Sequence, residues 1–79
     1  EIDIIATSNL FNIHFIEVKN YSKKNWINPM QAITKEKQKK IKKTASHFLK
    51  KIDINYKEIQ FDIIIIENND IKNHTLYAF

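Results

Sequence analysis

The sequence predicts a small α/β domain with a mixed sheet, in the order strand, strand, helix, strand, strand. Three observations carry this. Asn12 to Asn20 and Gln60 to Glu67 are both of strand length and rich in β-branched and aromatic residues. Between them, Ile41, Ala45, Phe48, Leu49 and Ile52 recur at helical spacing. A helix joining the two strands makes them parallel, because parallel neighbours need a crossover of a dozen or more residues.

Taken in order, Glu1 to Ala6 alternates polar and apolar residues and ends at the turn formers Thr7-Ser8-Asn9. The next strand, Asn12 to Asn20, is close enough to pair with it as a hairpin. Side chains alternate along a strand, so Ile13, Phe15, Glu17 and Lys19 share one face, and His14, Ile16 and Val18 the other. Charge therefore replaces apolar residues partway along a single face. Tyr21 to Pro29 lacks a sustained period and holds the only proline, which marks a loop. Thr34 can cap the helix that follows, and Glu36 in its first turn suits the helix dipole. Continued one turn back, the apolar stripe lands on Lys37 and Gln38, so the core-facing side begins polar. Phe61 and four consecutive Ile make the third strand apolar on both faces, as expected of a central strand covered on each side. Asn68-Asn69-Asp70 is a turn, and Lys72 to Phe79 reads as a short strand at the sheet edge.

Seventy-nine residues allow one domain, spanning 1–79, near the lower size limit for a self-sufficient core. There is no cysteine, which excludes disulfides, thiolate zinc sites and cysteine nucleophiles and makes the reducing cytoplasm the default compartment. The longest apolar run, Ile63 to Ile66, is far short of the roughly 20 residues of a bilayer span, so no membrane helix is expected. Residue 1 is Glu rather than Met and opens directly on a strand pattern, so the sequence reads as N-terminally truncated.

The formal charge of +4 comes from thirteen Lys and no Arg against nine acids, and it is unevenly placed. Residues 35–51 hold eight Lys and one Glu, which leaves the remainder acidic. A basic helix on an acidic body suits phosphate backbones, since each neutralised phosphate releases counterions. The same helix could equally be a solvated face in a chain rich in Lys, Ile and Asn.

The arrangement able to carry chemistry is Asp3 on the first strand with Glu17-Val18-Lys19 on the second. A Glu-x-Lys triplet has no weight alone in so lysine-rich a chain. In a hairpin, however, Asp3 and Glu17 can lie side by side with Lys19 two residues on and pointing the same way. Paired carboxylates repel and raise each other's pKa unless a cation intervenes. Mg²⁺ fits such a pair, because it takes one or two carboxylates, several waters and substrate phosphate oxygens. The alternative is an ordinary cross-strand ion pair worth at most about 1 kcal/mol.

Five blocks follow one another in register: Glu1-Ile2-Asp3-Ile4-Ile5, Phe15-Ile16-Glu17-Val18-Lys19, Lys37-Gln38 opening a basic helix, Phe61-Asp62 opening an apolar strand, and the terminal Ala78-Phe79. Together they resemble the YraN-like family of small bacterial proteins, within the PD-(D/E)XK nuclease superfamily and similar to archaeal Holliday junction resolvases. The resemblance implies a restriction-endonuclease-like core with a mixed sheet and a crossover helix, lacking an N-terminal helix and first strand. It further implies Asp3 and Glu17 as ligands for Mg²⁺ or Mn²⁺, Lys19 as the catalytic lysine and Gln38 as the polar helix residue completing the site, with Glu1 as an outer-shell acid. DNA is the implied partner, and a homodimer is compatible with it. Tyr21 and Gln60 depart from the pattern by standing where relatives tend to have Arg.

Lys23, Lys24 and Trp26 in the loop, with Lys35, Lys37 and Lys39 on the helix, are the expected nucleic-acid contacts; Trp26 could stack on a base or anchor the loop. His14, His47 and His74 share no ligand spacing. Asp62, at the start of the buried strand, is read as holding a neighbouring backbone group. Two functions stay open: a Mg²⁺-dependent endonuclease acting on branched or damaged DNA, or an inactive nucleic-acid-binding module with the same fold.

Overall fold

A computed structural model describes residues 2–8, 11–21 and 33–79. It contains β1 (Ile4–Thr7), β2 (Asn12–Tyr21), α1 (Lys35–Lys51), β3 (Glu58–Glu67) and β4 (Asp70–Thr75). The sheet order is β1-β2-β3-β4, with β1–β2 and β3–β4 antiparallel and β2–β3 parallel. This is the expected mixed sheet with a helical crossover, consistent with an α/β restriction-endonuclease-like core.

The helix forms where its cap and stripe place it. The Thr34 hydroxyl accepts the Lys37 backbone N–H at 3.1 Å, Glu36 lies in the first turn, and Lys50 and Lys51 lie in the last, where they complement the dipole. Its apolar stripe packs on one face of the sheet. Ile13, Phe15, Phe61, Ile63 and Ile65 from β2 and β3 meet Ile41 and Ala45 of α1, with Phe48, Leu49 and Ile52 packed around them. Phe15 stacks on Phe61 at 5.4 Å and Phe61 on Phe79 at 5.2 Å, while Phe48 meets Phe15 edge-on. The Lys42 ammonium lies 5.7 Å from the centre of the Phe61 ring, adding a cation–π contact where the helix's charged side meets the aromatics.

Three expectations need correction. The last strand ends at Thr75 rather than continuing to Phe79. Tyr77 takes a left-handed conformation (φ 52°), its N–H donating to the Asp62 carboxylate, and Ala78 N–H then donates to the Phe61 carbonyl at 2.7 Å. The chain hooks back because a buried acceptor captures Tyr77 and the core takes Ala78. The first strand begins at Ile4 rather than at residue 1. Central β3 is covered by α1 on one face only among the described residues: Ile63 and Ile65 are buried, but Ile64 and Ile66 on the other face stay half-exposed.

Candidate metal and phosphate site

The β1–β2 register pairs Ile4 with Ile16, and continued by one residue it sets Asp3 opposite Glu17. By strand alternation Glu17 projects to the helix side, as does Lys19 two residues along, and the Asp3 carboxyl, just before β1, lies close enough to Glu17 to act on its charge. β2 carries Ile13 and Phe15 into the core and then, on the same face, Glu17 and Lys19 past its edge. Because α1 follows the C-terminal end of β2, its polar first turn arrives above these charges. The apolar stripe is interrupted there for that reason.

Glu17 is the buried member, with only 6% of its surface exposed. Two ammonium groups converge on a single oxygen of it: Lys19 Nζ lies 3.7 Å from Glu17 Oε2 and Lys37 Nζ 3.8 Å. Asp3 Oδ2 accepts the Val18 backbone N–H at 2.9 Å, which fixes the first acid onto the strand bearing the second. Burial pushes the Glu17 pKa up, the adjacent Asp3 carboxyl adds to this, and Lys37 and Lys19 pull it part of the way back. The net shift is upward, so even two lysines do not offset burial beside a second acid.

Gln38 is half-buried, and its side-chain amide donates to the Ile33 carbonyl at 3.1 Å, steadying the chain that enters the helix. The helix residue whose ion pair reaches Glu17 is its neighbour Lys37. Lys35 and Lys39 are solvent-exposed. Glu1, Lys23, Lys24 and Trp26 lie outside the described residues.

Among the described residues, no group of three or more His, Cys, Asp and Glu is arranged to hold a metal ion. The acidic pair therefore offers two carboxylates. That donor set suits Mg²⁺ or Mn²⁺, which fill their remaining positions with water and phosphate oxygens, and it is too sparse and too hard for zinc. A raised pKa on a carboxylate held beside another acid is the electrostatic condition that a divalent cation relieves.

On the opposite face of the sheet lies a second polar cluster that sequence reading missed. Asp62 is fully buried and takes His14 Nδ1 at 2.8 Å and His74 Nε2 at 3.3 Å on one oxygen, and the Gln60 amide at 2.9 Å and Tyr77 N–H at 3.1 Å on the other. Burial would raise its pKa, but the donors Gln60, His14, Tyr77 and His74 together hold it below the ordinary aspartate value. The expectation that Asp62 holds a backbone group is met by Tyr77. That two histidines also meet there follows from strand register, which sets His14 beside Gln60 and Ile64 beside His74. No spacing in the sequence announces it. His47 stays exposed on the helix.

Comparison with known proteins places the chain. Residues 1–66 match the family described as "Uncharacterised protein family UPF0102". The UPF0102 protein of Persephonella marina is 44% identical over 71 residues, covering 90% of this chain and 60% of that protein. That of Sulfurihydrogenibium sp. is 40% identical over 72 residues, covering 90% and 61%, and that of Chlorobium phaeobacteroides 37% identical over 79 residues, covering 100% and 62%. The chain thus spans about three fifths of the length of these relatives. No solved structure matches it. With its sequence blocks in register and a family match over most of its length, the chain belongs to the UPF0102 family, the YraN-like group related to PD-(D/E)XK nucleases.

Proposed function

We propose that this chain is the catalytic core of a Mg²⁺-dependent endonuclease that hydrolyses DNA phosphodiester bonds, with branched or damaged DNA as the substrate class. The observation that carries the reading is the convergence of Asp3, Glu17 and Lys19 at one end of the β1–β2 ribbon, with Glu17 buried and its pKa raised. Asp3 and Glu17 would hold the cation, with Glu1 as an outer acid. When bound, the cation supplies Lewis-acid polarisation of the scissile phosphate and lowers the pKa of a bound water. Lys19, held on the same strand as Glu17 with its ammonium 3.7 Å from Glu17 Oε2, would orient the attacking water and stabilise the charge that develops on phosphate. Gln38 fixes the approach of the helix to the site. Lys35, Lys37 and Lys39, with Lys23, Lys24 and Trp26 of the preceding segment, supply backbone and base contacts. A DNA partner and a chain free of cysteine fit the cytoplasm, and among the described residues no helix is long and apolar enough to cross a membrane.

The test is cleavage of labelled branched and single-stranded DNA by the complete protein with Mg²⁺ or Mn²⁺. Glu17→Ala and Lys19→Ala should each reduce cleavage by at least about 100-fold while leaving DNA binding in place. Unchanged cleavage in either variant overturns the proposal.

A second reading, a binding module without catalysis, is favoured by one feature: Lys19 and Lys37 both form ion pairs with Glu17, the carboxylate that would have to hold the cation. The melting temperature separates the two, since a cation at about 100 times its Kd stabilises the fold by about 2.7 kcal/mol. A nuclease core shows that shift; the binding module does not.

A further inference from the structure

We infer that Lys37 is the occupant that the metal displaces: it holds Glu17 in the metal-free protein and, once released, binds a phosphate oxygen of the polynucleotide. The inference rests on the nuclease reading and extends it to a residue with two successive partners.

Lys19 and Lys37 both reach Glu17 Oε2, at 3.7 and 3.8 Å, so this oxygen already carries two positive neighbours. A divalent cation bound to it would lie within a few ångströms of both ammonium groups, and one of them must withdraw. The two lysines differ in their freedom to do so. Lys19 is rooted in β2, paired at that position with Ile65 of the central strand β3, and its side chain is 31% exposed. Lys37 stands in the first turn of α1 with its side chain 41% exposed and no other ion pair among those found for the described residues. Withdrawal of Lys37 costs one contact and turns its charge towards solvent at the mouth of the site. A phosphate group entering to complete the metal's coordination meets that charge first. Lys37 is thus a positioning residue whose interaction with Glu17 and interaction with substrate exclude one another, in contrast to the exposed helix lysines, which would contact DNA regardless of metal.

The measurement is the affinity of the complete protein for Mn²⁺, by calorimetry and without nucleic acid, followed by its affinity for a labelled single-stranded DNA in the presence of Ca²⁺ to hold back cleavage. Lys37→Met and Lys37→Gln should bind Mn²⁺ about fivefold more tightly than wild type, since a competing cation has been removed, and should bind the DNA about tenfold more weakly. Lys37→Arg should restore both affinities to within about twofold of wild type. Lys43→Met removes the same charge from an exposed helix position and should leave Mn²⁺ affinity unchanged. Equal Mn²⁺ affinity in wild type and Lys37→Met, or tighter Mn²⁺ binding without weaker DNA binding, overturns the inference and leaves the nuclease reading standing. Absence of Mn²⁺ binding in the wild type overturns both.

Discussion

Glu17 and Asp62 are both buried carboxylates, and the structure shifts them in opposite directions for reasons that can be measured. Glu17 sits beside another acid, and its folded pKa is raised from 4.5. A raised pKa means that the folded state holds the proton more tightly than the unfolded chain. The associated stability is therefore present in acid and lost as pH rises through the folded value. Glu17→Gln should accordingly melt at a higher temperature than wild type at neutral pH without metal, with the gap closing as pH falls through the raised folded value and absent below 4.5. Saturating Mg²⁺ should reverse the order, because only the wild type is stabilised by it. A Glu17→Gln protein that melts lower at neutral pH without metal would contradict the electrostatic account.

Asp62 has a folded pKa lowered from 3.8, so its contribution is complete above that value and is lost as pH falls through the lower one. Asp62→Ala would leave the Gln60 amide, the His14 ring and the Tyr77 N–H without their acceptor, at a cost of about 3 to 5 kcal/mol. Asp62→Asn keeps the shape and one carbonyl acceptor and should cost about 1 to 3 kcal/mol, read by urea denaturation. Both should also release the C-terminal hook, visible as faster amide exchange at Ala78. Neither touches the acidic pair, so metal binding by Asp62→Asn should match wild type.

At the level of elements, the helix and the β3–β4 hairpin each depend on one local device. Thr34 is the cap of α1, and Thr34→Ala should cost about 1 kcal/mol and shift the polar first turn that carries Lys37. The hairpin closes at Glu67 and Asp70 over Asn68 and Asn69, both in the left-handed region at φ 53° and 68°. In a chain with no glycine, asparagine takes these positions because its short polar side chain tolerates them. Asn69→Gly should therefore stabilise the protein by a few tenths of a kcal/mol, seen as a small rise in melting temperature. Boundaries that propensity and caps decide were legible: the Lys35–Lys51 helix and the turn at 68 were both expected from local residues. The end of β4 was not. Leu76 to Phe79 is apolar and aromatic enough for a strand, but a buried carboxylate distant in sequence captures Tyr77 and redirects the chain.

At the scale of the whole molecule, charge is segregated. The helix carries eight lysines on a chain whose remaining residues are net acidic, and its first turn overhangs the acidic pair. Binding to DNA should therefore be strongly salt-dependent. If about three phosphates are neutralised, affinity falls roughly 40-fold between about 50 and 200 mM salt. A flat salt response in filter binding would assign the lysines to solvation alone.

The residues by themselves determined the order of elements, the parallel relation of β2 and β3, the helix stripe with its polar start, and the candidacy of Asp3, Glu17 and Lys19. Each of these follows from periods of two and 3.6 residues, from caps and from the geometry of a crossover, all local or nearly so. Only the tertiary structure decided that Lys37 rather than Gln38 pairs with Glu17, that burial keeps that carboxylate's pKa high, and that Asp62 gathers two histidines and the C-terminal hook. Those outcomes depend on register and on burial, and both arise from contacts between segments far apart in the chain, where neither propensity nor spacing carries information.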